Sequence, residues 1–207
     1  MAEPFPDTAR GRDAGRTASR LGMLVFLAGE VMLFGGLFGA ALALRLAHPS
    51  DYAAAAHRLN LWLGTANTAT LLTSSLCAAL AVAAARAGHP RRVAQALGGA
   101  ALLGTAFLVV KAAEWVGEYR AGLMPGTAVA RFASPPQHLF MNAYFIATGL
   151  HAIHVAIGIA LLVIAAASRA ARADRHAGLV GNVALYWHLV DVVWVFLYPT
   201  LYLAGAR

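Results

Sequence analysis

The stretch LGMLVFLAGEVMLFGGLFGAALAL, residues 21–44, decides the fold. Apart from one carboxylate, Glu30, every residue in it is apolar, small or glycine. A hydrocarbon core about 30 Å thick is crossed by about 20 residues of α-helix. The run is also longer than the apolar core of a signal peptide, about 7–15 residues, so a retained helix is expected. Four further segments qualify on the same criterion: Leu61–Ala85, Val93–Val116, Leu139–Ala167 and Val180–Ala204. The chain is therefore expected to be all-α, an integral membrane bundle of five transmembrane helices. Those segments fill most of the 207 residues, so one membrane domain over residues 21–207 is expected after a short tail at 1–20.

Composition agrees. The chain is 60% hydrophobic and 12% charged, against a charged share of about 25% in soluble domains. Its net charge of +7 would suit nucleic acid, but the arginines are not arranged as a binding patch. Ten of them (Arg10, Arg12, Arg16, Arg20, Arg86, Arg91, Arg92, Arg169, Arg172 and Arg175) flank one set of helix ends. Five (Arg45, Arg58, Arg120, Arg131 and Arg207) flank the other. Positive charge accumulates on the cytoplasmic side of membrane proteins, which predicts an inside amino terminus and an outside carboxyl terminus. No nucleic-acid partner is expected. Residues Met1–Arg20 mix Pro, Gly, Asp and Arg without an apolar face and read as a flexible basic tail. Cys77 is the single cysteine; it permits no internal disulfide and reads as packing.

Glycines at 22, 29, 35, 36 and 39 suggest close helix contacts by the first segment. The second carries Thr65, Thr68, Thr70, Thr73, Ser74 and Ser75 with Asn60 and Asn67, read as a packing face or a water-lined seam. Gly88-His89-Pro90 breaks the chain before the third. The longest loop, Gly117 to Gln137, is expected on the outer surface. Trp62, Trp115, Tyr119 and Tyr202 lie near segment ends, where aromatic rings favour the interface.

Ionisable groups inside membrane segments are costly and call for a role or a partner. They are Glu30, His151, His154, His188 and Asp191. Helix rise places Glu30, His188 and Asp191 about 12–16 Å in from the cytoplasmic end, and all five are expected in one layer of the inner half. His151 and His154 share a helix face, as do His188 and Asp191, so Asp191 is a candidate to orient a histidine. Structural pairing, proton transfer or lipid-headgroup contact, and haem or metal ligation all fit these residues. A second set, Lys111, Glu114 and Glu118, shares one face at the outer end of the third segment and reads as an interfacial cluster, either a snorkelling ion pair or a partner-docking site.

The run Tyr-Trp-His-Leu-Val-Asp-Val-Val-Trp, residues 186–194, resembles the closing signature of subunit III of the haem-copper oxygen reductases, the cytochrome c oxidase family. Residues 147–158, Ala-Thr-Gly-Leu-His-Ala-Ile-His-Val-Ala-Ile-Gly, resemble that family too. So do Gly22–Glu30 and Lys111–Tyr119, and the matches run in order along almost the whole chain. The resemblance is to the five-helix bacterial form. It implies an accessory subunit with no haem, copper or other redox cofactor of its own, in the bacterial cytoplasmic membrane. Its partners would be a catalytic subunit I holding haems and copper, subunit II, and membrane phospholipid bound in a cleft.

The same resemblance implies that the complex reduces oxygen to water with proton pumping, taking electrons from cytochrome c or quinol through other subunits. This chain would sustain proton uptake and protect the enzyme during turnover. By motif, Glu30 corresponds to the family's carbodiimide-reactive carboxylate, while His151, His154, His188 and Asp191 are largely structural. Five-helix forms also occur in quinol oxidases and in an accessory protein linked to nitric oxide reductases. The Asn67–Ser75 stretch and Glu at position 30 lean toward the cytochrome c or nitric-oxide-linked groups. Two other classes compete: a small cytochrome b-like carrier using His151 or His154 with His188, and a proton-coupled transporter working through Glu30.

Overall fold

The computed structural model describes residues 7–126, 132, 134–168 and 177–205. Six helices follow in chain order: α1 (Asp7–Ala47), α2 (Pro49–Ala56), α3 (Leu61–Arg86), α4 (Pro90–Arg120), α5 (Pro135–Ala167) and α6 (Ala177–Leu201). A single 3₁₀ turn, Leu203–Gly205, closes the described chain. Five of the helices, all but α2, are long and apolar enough to cross a membrane, as the hydropathy pattern predicts.

Local chemistry sets the boundaries. Proline at the first helical position costs no hydrogen bond, and Pro49, Pro90 and Pro135 open α2, α4 and α5 in this way. Asn60 caps α3, its side-chain oxygen accepting from the Leu63 N–H at 3.1 Å. Gly88 and Gly122 end α3 and α4 at φ +71° and +71°, a left-handed conformation that side chains with a Cβ resist.

Two expectations need correction. The tail read over Met1–Arg20 is helical from Asp7 onward, so α1 is 41 residues long. Past Pro6 no proline interrupts the helix, and extending an existing helix by a residue is far cheaper than starting one. Residues 1–6 lie outside the described residues, as do Arg131, Arg169, Arg172, Arg175 and Arg207, on which the predicted orientation partly rests. Second, the glycines of the first segment do not mediate close packing within this chain. A Cβ built at Gly22, Gly29, Gly35, Gly36 or Gly39 meets nothing within 4 Å.

The reason is the position of α1. Helices α3, α4, α5 and α6 form a ring in which each packs on two neighbours, and α1 lies outside it against α5 and α6. In its most apolar window α1 is 6% buried, whereas α6 is 50% buried. Helix α6 is the most buried of the spans and α1 is the rim.

Lipid is as apolar as leucine, so membrane helices are held by close fit and interhelical hydrogen bonds. Both act at Trp187. Its ring lies between Gly104 of α4 and Gly158 of α5, where an added Cβ would come within 2.6 Å of the ring in each case. Its indole N–H donates to Ser74 Oγ at 3.1 Å, and that hydroxyl donates to the Ala100 carbonyl at 2.8 Å. Trp194 N–H similarly donates to Thr68 Oγ1 at 3.0 Å, and Thr65 bonds the Tyr198 hydroxyl at 2.7 Å. The hydroxyls of the second segment thus join α3 to α6, which is the packing reading. Outside the spans, the α2 hydroxyl of Tyr52 donates to the Thr200 carbonyl at 2.9 Å and ties α2 to the end of α6.

Candidate functional site

The buried ionisable groups fall into separate sites. On the rim, Glu30 of α1 meets His154 of α5, with Oε2 2.8 Å from Nε2. The contact has ion-pair distance without hydrogen-bond alignment. His154 Nδ1 lies 2.8 Å from the Leu150 carbonyl, which can only accept, so Nδ1 carries its proton. Nε2 and a bare carboxylate would then present lone pairs to each other. A 2.8 Å approach is favourable only when a further proton sits on one of them. As an imidazolium–carboxylate pair the two would carry no net charge, which would lower the cost of placing them beside lipid. Phe34 packs edge-on against the imidazole, with ring centroids 5.4 Å apart.

His188 takes a different partner, Ser75 of α3, at 2.6 Å. Asp191, a candidate to orient a histidine, makes no direct hydrogen bond to His188. Both Asp191 oxygens are buried and make no well-aligned hydrogen bond among the described residues, although the Ser75 hydroxyl acts on the carboxyl. His151 has neither a carboxylate nor a hydrogen-bond partner there: both ring nitrogens are unpaired. The ring instead stacks on Trp194 at 5.2 Å and meets Phe107 edge-on at 5.7 Å. The depth estimate also shifts, because His151 lies about 24 Å from the end of α5 at Ala167, near mid-span and not in one half. Among the described residues no three His, Cys, Asp or Glu side chains converge as metal ligands, and the three histidines face three different surroundings.

The largest polar constellation is one that the sequence reading placed at the interface. Lys111, Glu114 and Glu118 do share a face of α4, but that face points into the bundle, and the three are 1%, 5% and 6% exposed. They do not snorkel. The Lys111 ammonium donates to Glu114 Oε2 at 3.0 Å, to the Tyr144 hydroxyl at 2.7 Å and to the Tyr202 hydroxyl at 2.5 Å. Each hydroxyl passes its own hydrogen on: Tyr144 to Glu118 Oε1 at 2.6 Å, Tyr202 to Glu114 Oε1 at 2.8 Å. The three donors of the ammonium are all used, within a closed network across α4, α5 and α6. The rings of Tyr144, Tyr202 and Trp194 surround the cation at 4.6, 5.2 and 5.5 Å.

Tyr144 and Tyr202 were not recognisable as partners from hydropathy. Tyr202 was expected at the interface and is instead buried. The available signal was spacing: Tyr144 precedes His151 by two helical turns and so shares its inward face.

These features define a polytopic helical membrane subunit: a four-helix core around a buried ion cluster, with a peripheral helix carrying a carboxylate–imidazole pair. The profile of the family described as cytochrome c oxidase subunit III matches residues 10–206. The chain is 32% identical over 188 residues to cytochrome c oxidase subunit 3 of Thermostichus vulcanus, covering 88% of this chain and 86% of that one. The figures for the Corynebacterium diphtheriae protein of the same name are 32% identity with 88% and 86% coverage. For that of Tragelaphus oryx they are 31%, 90% and 70%. The chain belongs to the cytochrome c oxidase subunit III family and is an accessory subunit III of a haem-copper oxidase, a multi-pass membrane protein assembled with other oxidase subunits.

Proposed function

We propose that this chain, in a bacterial cytoplasmic membrane with its amino terminus inside, sits beside a catalytic subunit I that holds the haems and copper, together with subunit II. Cytochrome c (quinol in the alternative) delivers electrons to those other subunits, and this chain holds no redox cofactor. Its contribution is to sustain proton uptake and to hold phospholipid against the exposed face of α1. The Glu30–His154 pair carries this reading. It is a proton-bearing, neutral couple at the junction of α1 and α5, and its two side chains are 15% and 12% exposed. A group so placed can pass a proton between carboxyl and imidazole without leaving a bare charge in hydrocarbon.

The apolar face of α1 supports the lipid role, with Leu24, Val25, Val31 and Met32 all exposed. The test uses the purified oxidase complex with wild-type, Glu30→Gln or His154→Phe chains. Expected are retained haem and assembly, loss of carbodiimide labelling of this chain in Glu30→Gln, and faster loss of activity during turnover in both variants. Persistent labelling in Glu30→Gln, or turnover lifetimes equal to wild type, would refute the role of the pair. The polypeptides that co-purify distinguish a cytochrome c oxidase from a quinol oxidase or a nitric oxide reductase.

A further inference from the structure

The Lys111 network has a charge imbalance. One ammonium faces two carboxyl groups, and among the described residues no second cation reaches them. The groups facing the cluster are Lys111, Glu114 and Glu118 from α4, Tyr144 from α5, the Trp194 ring from α6, and Tyr202 just past its end. The next titratable side chain along α5 is His151, two turns away.

The two carboxyls are not equivalent. Glu114 touches the ammonium directly, and both its oxygens accept hydrogen bonds. Glu118 has one oxygen bonded to Tyr144, while Oε2 is buried with no partner. An unpartnered carboxylate oxygen away from water carries a large desolvation cost, and a neutral carboxyl carries much less.

We propose that this cluster is a proton-binding site: it holds one exchangeable proton, seated on Glu118 Oε2, so that Lys111, Glu114 and Glu118 together are neutral. No bond other than O–H forms, and the proton exchanges with solvent. Glu118 lies in the last turn of α4, near the end of the helix at Arg120. The site is separate from the Glu30–His154 pair and stands or falls independently of it.

The test is infrared spectroscopy of the assembled oxidase, with ¹³C-labelled glutamate to separate Glu from Asp signals. Wild type should show a protonated-carboxyl stretch that disappears in Glu118→Gln. The same band should disappear in Glu114→Gln, because one ammonium then balances the one remaining carboxylate. Glu118→Gln copies the neutral form and should assemble at wild-type yield. A band unchanged in Glu118→Gln would overturn the proposal. So would a band retained in Glu114→Gln, or failure of Glu118→Gln to assemble while Glu114→Gln assembles.

Discussion

Replacing Lys111 by Met keeps most of the side-chain volume and removes the ammonium from the centre of the α4–α5–α6 network. Three hydrogen bonds disappear, to Glu114, Tyr144 and Tyr202. At about 1.5–3 kcal/mol for each bond to a charged group, their sum sets an upper bound of roughly 5–9 kcal/mol. Ordinary interhelical hydrogen bonds in membranes average only about 0.6 kcal/mol, because the separated helices find other partners. Neither figure governs here, since the substitution strands carboxyl groups that are 5% and 6% exposed. Removing one partner of a buried ion pair costs about 3–5 kcal/mol. That corresponds to a factor of roughly 10² to 4×10³ in the folding equilibrium.

The assay is unfolding of the complex in mild detergent, together with the fraction of this chain retained alongside its oxidase partners. Lys111→Met should lower both. The double variant Lys111→Met/Glu114→Gln should recover part of the loss, because one stranded charge is gone. A wild-type unfolding midpoint for Lys111→Met, or a double variant as unstable as the single one, would refute the reasoning.

Gly158→Ala drives a methyl to within 2.6 Å of the Trp187 ring. It should cost about 1–3 kcal/mol in the same unfolding assay, whereas Gly98→Ala, with nothing within 4 Å, should be neutral or slightly stabilising. Asp191→Asn should assemble at least as well as wild type, since it removes a buried charge and still leaves an oxygen facing the Ser75 hydroxyl; a large loss of yield would refute this. Burial pushes the Tyr52 hydroxyl from 10.0 up to about 12, against an opposing effect of Arg45. A raised pKa in the folded state means that the stability from Tyr52 is complete below pH 10.0 and lost as pH rises toward about 12. Subtracting the unfolding profile of Tyr52→Phe from that of wild type should show that fall, and a flat difference would exclude it.

Much of the fold was legible because a membrane span needs only length and hydropathy. The five spans follow from apolar runs that no soluble helix of that size requires. Helix α2 was not legible: eight residues, four of them a run of Ala, give no period to read. Nor was the helical start of α1 at Asp7, which propagates from the span behind it and not from any pattern of its own.

The site was legible as a set of residues but not as pairs. Burial of Glu30 and His154 could be read from hydropathy, yet their contact depends on α1 packing against α5, which the chain order does not specify. Asp191 and His188 share a helix face in sequence, but α3 supplies the nearer partner, Ser75. For Lys111, nearness to a segment end suggested the interface. The α4 face it occupies is instead enclosed by Tyr144 and Tyr202, and only the packing of three helices reveals that.

The most direct measurement is affinity capture of this chain from native membranes, followed by its release from whatever accompanies it and optical spectra of both fractions. A co-captured haem-copper catalytic subunit should keep the entire haem spectrum, and the released chain should be without colour. Capture of the chain alone, or haem travelling with it in stoichiometric amount, would contradict the account.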